Sequence, residues 1–412
     1  MPMLSSLLPS AARNGAGGTA MSGPFLSTVV VSFFFILGVS IVVPVLPLVV
    51  DTYGVSRAGG SLLLSSFALG RLGFDVIAGV LGDRFGIRRV AFSACLVTIV
   101  ASVVAATTPS YPLLLAARTA QGAGSALYMT VAMGQIITMA PDGHVGRLLA
   151  VYQGVILAGV SLGPTVGGLV TEAWGIAGPF VLYALFGVVG ATVALRWMPA
   201  HNLEGAPGTG PVLSRWPQVR GLLGDPTFLL MLAAAFTVFG VRAGLGNTLI
   251  PLFAAERFGF SQTAIGVLLT VSAAGNLLVL AHAGRSVDRS GRRRTLRIGL
   301  WAAVPVAVGL ALTASPWLLF VLAAGLGAAK GYAGVVPGAV LADLATPGIR
   351  ATAIGIQRMT TDLGLLAGPF LAGTMADHLG FTGAFLLTAA FVAVIALATW
   401  FMRETAPASA RA

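Results

Sequence analysis

The chain has one cysteine, one lysine and four histidines in 412 residues, and charged side chains make up 9% of it. Each scarcity excludes something. The lone Cys95 forbids an internal disulfide and any multi-cysteine zinc or iron–sulfur site. His144, His201, His282 and His378 stand singly, with no His-Glu-x-x-His pair, so no metal site is expected. Lys330 is followed by Gly331 and belongs to no phosphate-binding glycine loop, which removes ATP hydrolysis by this chain. No nucleophile–base–orienter set appears, so neither an enzyme nor a cofactor is expected.

The scarcity of charge excludes more. A soluble globule carries roughly 25% charged residues, because its surface must be hydrated. Here 57% of residues are apolar and the mean hydropathy is +0.93, so the solvent of this chain is lipid. The 54 glycines have no three-residue period, and a collagen-like chain is excluded.

A bilayer core of ~30 Å needs about 20 apolar residues per helix. Twelve segments satisfy that ruler: 26–50, 59–81, 90–107, 112–139, 147–171, 176–198, 227–254, 261–283, 296–313, 316–342, 351–375 and 382–402. Residues 1–22 lack a compact apolar core and read as a disordered tail, not a signal peptide. The polar stretch 201–226 divides the chain into six-span units at 23–200 and 227–403, with 404–412 as a C-terminal tail. If both termini face the cytoplasm, seventeen arginines fall on that side, and Arg57 and Arg257 alone fall outside. That bias sets the orientation. The net charge of +11 is then a topology signal. Arginines scattered over short loops do not make a nucleic-acid surface.

The two units repeat. Gly79-Val80-Leu81-Gly82-Asp83-Arg84-Phe85-Gly86-Ile87-Arg88-Arg89 follows span two, and Gly284-Arg285-Ser286-Val287-Asp288-Arg289-Ser290-Gly291-Arg292-Arg293-Arg294 follows span eight, 205 residues on. The same offset carries Gly159-x-x-x-Gly163-Pro164-x-x-Gly167-Gly168 onto Gly364-x-x-x-Gly368-Pro369-x-x-Ala372-Gly373. Two unrelated patterns sharing one offset indicate a duplicated six-helix unit. Glycines at this spacing let helices approach closely, and the proline bends the helix.

These residues resemble the major facilitator superfamily over essentially the whole chain. The loop after span two is similar to its Gly-x-Leu-Ala/Gly-Asp-Arg-x-Gly signature, departing at Ile87. Arg118-x-x-Gln121-Gly122-x-Gly124 resembles its fourth-helix motif, and the span-five glycine pattern its antiporter motif, with Ala150 at an outlying glycine position. Leu37-Gly38, followed by Pro44-Val45-x-Pro47, is similar to a pattern of the twelve-helix drug:proton antiporter branch. The resemblance implies an all-α membrane fold of two pseudo-symmetric six-helix bundles around a midplane cavity. Spans one, four, seven and ten would line it; two, five, eight and eleven would form the seam between bundles. It also implies a gating role for Gly79, Asp83, Arg84, Gly86, Arg88 and Arg89, and for Gly284, Asp288, Arg289, Gly291 and Arg293.

Ionisable groups inside spans cost roughly 2.5–3.5 kcal/mol each on insertion scales and mark functional sites. Seven lie well inside: Arg71, Asp75, Arg118, Arg242, Lys330, Arg358 and Asp362. Arg71/Asp75 and Arg358/Asp362 are each four apart, the spacing of private intrahelical pairs. Their depths also allow a quartet across the seam, with Asp75 facing Arg358 and Arg71 facing Asp362. Spans five and eight offer Gln153 and Asn276 in its place. Asp75 and Asp362 are the proton-coupling candidates. Arg118, Gln121, Arg242 and Lys330 are the substrate-cavity candidates. Trp174, Trp317 and Trp400 stand at span ends as interfacial anchors.

The leading expectation is a monomeric secondary transporter in the inner membrane that expels a small organic compound in exchange for protons. The alternative is a uniporter or proton symporter for a polar or anionic metabolite, favoured by cavity cations that lack a nearby carboxylate.

Overall fold

The computed structural model describes residues 23–139, 145–198, 216–346 and 349–406. The tail 1–22, most of the stretch 201–226 and residues 407–412 lie outside the described residues, as do His144 and His201.

The described chain is helical throughout and crosses the membrane region twelve times. The first bundle contains α1 (Gly23–Tyr53), α2 (Arg57–Phe85), α3 (Ile87–Thr107), α4 (Tyr111–Met139), α5 (Val145–Trp174) and α6 (Ala177–Trp197). A short helix, Trp216–Leu223, precedes the second bundle. That bundle contains α7 (Pro226–Phe258), α8 (Gln262–Arg289), α9 (Arg292–Leu312) and α10 (Pro316–Leu344). The last helical stretch, Arg350–Ala398, breaks at Gly380 into α11 (350–379) and α12 (381–398). Nine described segments are long and apolar enough to span a membrane on composition, the last being this double stretch. The other two crossings, α2 and α4, have the length at 29 residues each but carry buried polar groups. Large apolar side chains such as Leu278, Leu312 and Val321 are exposed on the rim, where lipid tails cover them.

The duplication is visible in the backbone. Among the described residues six glycines have positive φ, and they form three pairs 205 apart: Gly54/Gly259, Gly86/Gly291 and Gly175/Gly380. A side chain in that conformation costs energy that glycine does not, so the same turn is encoded in both copies. Ser56 and Ser261 cap α2 and α8 alike, accepting from Gly59 N and Ala264 N.

Three helices that reach the centre are irregular. α1 passes through a 3-10 turn at Val43–Val45, with Pro44 in its first positions. α7 widens to a π-helix over Arg242–Leu249, and Thr248 Oγ1 donates to Ala243 O five residues back at 2.9 Å. α10 is interrupted at Val335, where Pro337 has no N–H to continue the ladder. Such departures concentrate where a helix serves a site rather than a core.

Candidate functional site

The bundles meet along two seams, α2 with α11 and α5 with α8. The glycine motifs explain how closely. A Cβ on Gly163 or Gly167 would meet Ser40 or Ile41 of α1, and one on Gly364 or Gly368 would meet Phe236 or Gly240 of α7. Gly168 and Gly373 face the other bundle: a Cβ there would meet Gln262 at the start of α8, or Arg57 and Ala58 at the start of α2. Gly159 packs on Phe33, Ile36 and Leu37 of α1, while Pro164 and Pro369 lie inside α5 and α11. The motif therefore packs each bundle and also closes one end of the molecule.

That closed end is opposite the arginine-rich loops. Glu172 accepts from Thr263 N, and Asp377 accepts from Arg57 N and Ala58 N, at positions 205 apart. Thr270 Oγ1 donates to Ser161 O at 2.9 Å and Ser65 Oγ to Leu366 O at 2.7 Å, again a repeated pair. Arg57 adds an ion pair to Glu256. Among the described residues, no hydrogen bond or ion pair between bundles lies nearer the arginine-rich face than Arg71–Asp362, at the middle of α2. On that face Ala150, Gln153 and Gly154 are exposed and line the cavity. The molecule is thus closed on one face and open on the other.

The loop motifs accordingly make contacts within their own bundles. Arg88 Nε donates to Met198 O at 2.7 Å, and Arg293 Nη1 to Met402 O at 3.1 Å. Asp288 lies 3.8 Å from Arg292, which also pairs with Asp343 at 2.9 Å. Glu404 accepts from Arg292 N and Arg293 N, placing its charge at the α9 N-terminus. Arg84 stacks near Phe85; Arg89 and Arg289 are exposed. Gly79 and Gly284 have open space where a Cβ would stand. The side chain of Asp83 lies outside the described residues.

The cavity has two lobes, of about 620 Å³ and about 550 Å³, that share Ser40, Val43, Phe239 and Arg242 among their walls. The first reaches Lys330 on α10 and Asn276 on α8; the second reaches Arg71, Arg118, Arg358 and Asp362. The expected lining needs correction. α4 contributes Arg118 alone, whereas α5 supplies Gln153, Ile156, Leu157 and Val160. Gln121 is not on the cavity wall: it is fully buried and donates to Ser102 on α3 at 2.8 Å. Arg118 is 1% exposed. It donates to Gln121 Oε1 at 2.6 Å and to Leu63 O at 3.2 Å, and lies over Phe67. Together these residues tie α2, α3 and α4, which is a structural use of the pair.

The seam ions also differ from the expected quartet. Arg71 Nε reaches Asp362 Oδ1 across the seam at 3.4 Å, and Arg71 Nη2 lies 3.7 Å from Asp75 Oδ2 on its own helix. Arg358 does not pair with Asp75. Both Asp75 carboxylate oxygens are buried without a hydrogen-bond donor among the described residues. One guanidinium therefore serves two carboxylates.

Ser65, Thr270, Glu172 and Asp377 do not stand out in the sequence as ions within spans do. The signal that finds them is the offset of 205, applied position by position.

Comparison with known proteins agrees with this architecture. The chain is 24% identical over 386 residues to "Multidrug resistance protein MdtG" of Serratia proteamaculans, spanning 90% of this chain and 92% of that one. It is 32% identical over 126 residues to "Methylenomycin A resistance protein" of Streptomyces coelicolor; that match covers 30% of this chain and 26% of the relative. The solved nucleoside transporter NupG superposes with a TM-score of 0.76 at 14% identity, covering 92% of this chain and all of that one. The family model for the Major Facilitator Superfamily matches residues 28–261 and 242–412. The chain belongs to the Major Facilitator Superfamily, as an integral membrane transporter resembling its drug:proton antiporter branch.

Proposed function

We propose that this transporter expels a small organic compound from the cytoplasm in exchange for protons, as a monomer in the inner membrane. Both termini would face the cytoplasm. The arginine bias supports that orientation, and the present state is then open inward. The observation that carries the coupling is the charge imbalance at the α2–α11 seam, where Arg71 is shared by Asp75 and Asp362. Two carboxylates against one cation leave a negative charge in a low-dielectric wall, which a proton cancels.

The same group spans both moving halves, so protonation and conformation are linked. With the seam closed, Arg71 stabilises ionised Asp362. When the seam parts, Arg71 and Asp75 leave together on α2, and Asp362 is left on the cavity wall without its cation. Proton uptake is then favoured on the outer side and release on the inner, the order an exchanger requires. The drug-resistance names of relatives favour export of organic compounds.

The test is transport in proteoliposomes with an imposed pH gradient. Wild type should show gradient-driven flux, and Asp362→Asn should lose it while keeping substrate binding. Gradient-driven flux in the variant would assign Asp362 to structure. Reporters fused at Gly208 and after Arg411 should read cytoplasmic, and those at Tyr53 and His378 extracytoplasmic. The opposite pattern would reverse the direction of transport.

A further inference from the structure

The cavity carries more positive charge than the coupling site uses. Five cations reach its two lobes: Arg71, Arg118, Arg242, Lys330 and Arg358. Arg71 is engaged by Asp362, and Arg118 by Leu63 O and Gln121. The other three have no counter-charge among the described residues. Lys330 has a long hydrogen bond to the neutral Ser272 Oγ at 3.5 Å. The guanidinium groups of Arg242 and Arg358 have no hydrogen bond or ion pair among the described residues. An arginine keeps its charge, so these part-exposed guanidinium groups on the cavity wall are available to an anion that enters it.

The placement of the three is one-sided. Arg242 stands on the π-helical turn of α7, Lys330 on α10 and Arg358 on α11, so all belong to the second bundle. Arg242 borders both lobes, with Lys330 in one and Arg358 in the other. Facing them, the first bundle presents Ile36, Val43, Ile156, Leu157 and Val160. The unengaged cations thus share one wall. The facing wall is apolar along α1 and α5 save for Ser40 and Gln153, and its own cations, Arg71 and Arg118, are already engaged. That is the complement of a molecule with an anionic group at one end and an apolar body at the other.

We propose that the compound carried is a small organic anion. Its carboxylate, sulfonate or phosphate is held by Arg242 with Lys330 or Arg358, and its apolar body lies against α1 and α5. The lobe volumes suit a one- or two-ring body. This inference rests on the export reading given above and sharpens it. With a negative cell interior, an anion leaving the cell moves down the electrical gradient and the exchanged proton does the same. Cargo charge and direction of transport thus reinforce each other.

The experiment uses full-length protein in phosphatidylcholine nanodiscs and three probes that share one body: naphthalene sulfonate, naphthalene methanol and naphthyl methylammonium. Equilibrium dialysis measures binding of each. The sulfonate should bind at least about tenfold more tightly than the alcohol, the size expected of one charge-assisted hydrogen bond. Lys330→Met and Arg242→Met should each remove about tenfold of sulfonate affinity while leaving alcohol binding unchanged, which also shows an intact cavity. Lys330→Arg should keep the preference. Equal binding of the three probes, tighter binding of the ammonium, or sulfonate binding indifferent to both methionine variants would overturn the proposal. The two readings fail separately. Sulfonate selectivity without pH-gradient-driven flux removes proton exchange and leaves the anion site. Gradient-driven flux of the ammonium probe, without sulfonate selectivity, does the reverse.

Discussion

The α2–α11 seam and the α5–α8 seam are copies of one design that have diverged in one respect. At the closed end three contacts match position by position, and the Arg57–Glu256 pair has no counterpart. Ser65 and Thr270 each bond a carbonyl of the opposite bundle, Asp377 and Glu172 each receive the start of a facing helix, and Gly373 and Gly168 each allow the approach. Toward the middle the copies part. Where one seam has Arg71, Asp75, Arg358 and Asp362, the offset places Asn276, Leu280, Gln153 and Leu157 in the other. Closure needs the same geometry on both sides of a pseudo-two-fold molecule, whereas a buried charge cluster is costly and is placed once. The comparison therefore separates residues that shut the transporter from residues proposed to couple it.

The largest difference between the seams should come from the mid-seam charge. Arg71→Gln leaves Asp75 and Asp362 without their cation. Breaking a buried pair costs about 3–5 kcal/mol, toward the low end for a group on a cavity wall. We expect a lower melting temperature and loss of pH-gradient-driven flux. Asn276→Leu, its counterpart, should leave the ratio of flux with and without a gradient unchanged. Equal uncoupling by both would dissolve the distinction.

Next in size are the glycines at the closed end. Gly168→Val and Gly373→Val push a side chain into the opposite backbone, an overpacking worth about 1–3 kcal/mol. Both should shift the population toward the state open at that end. The measurement is labelling, from that face, of a cysteine placed at Val43 in a Cys95→Ala background. A shift from one variant alone would mean that the two seams do not share closure equally.

Smaller and paired effects are expected from Ser65→Ala and Thr270→Val, each removing one hydrogen bond worth about 0.5–1.5 kcal/mol. The same labelling should rise modestly and to a similar extent in both. Smallest is Arg57→Gln, which breaks the partly exposed pair with Glu256. Its cost should be under about 1 kcal/mol and should shrink in high salt. A salt-independent effect would point instead to its contacts with Ala376 O and the Phe381 ring.

Much of this was legible from residue order, because lipid leaves a chain few options. Ten of the twelve crossings follow from apolar length, while α2 and α4 are long enough but more polar. The repeat follows from matched loops such as Asp83 and Asp288. The mid-span ions could be picked out because each is expensive in hydrocarbon. Their pairing could not. Arg71 and Asp75 fit an intrahelical pair and Arg71 and Asp362 fit a cross-seam pair, and the structure holds both at once. Gln121 and Arg118 illustrate the other limit. A polar residue in a span reads alike whether it faces a cavity or ties three helices together, and here it ties helices.

Sequence alone determined the membrane class, the duplication and the inventory of buried charge, since these depend on composition and spacing along the chain. Tertiary structure decided which charges are satisfied. That Arg118 is engaged while Arg242, Lys330 and Arg358 stand without counter-charges, and that the last three share one wall, depends on side-chain direction across helices far apart in the chain. A kink or a π-turn such as Arg242–Leu249 rotates that direction. Local patterning cannot encode it, because the energy that selects it comes from the packing of the other bundle.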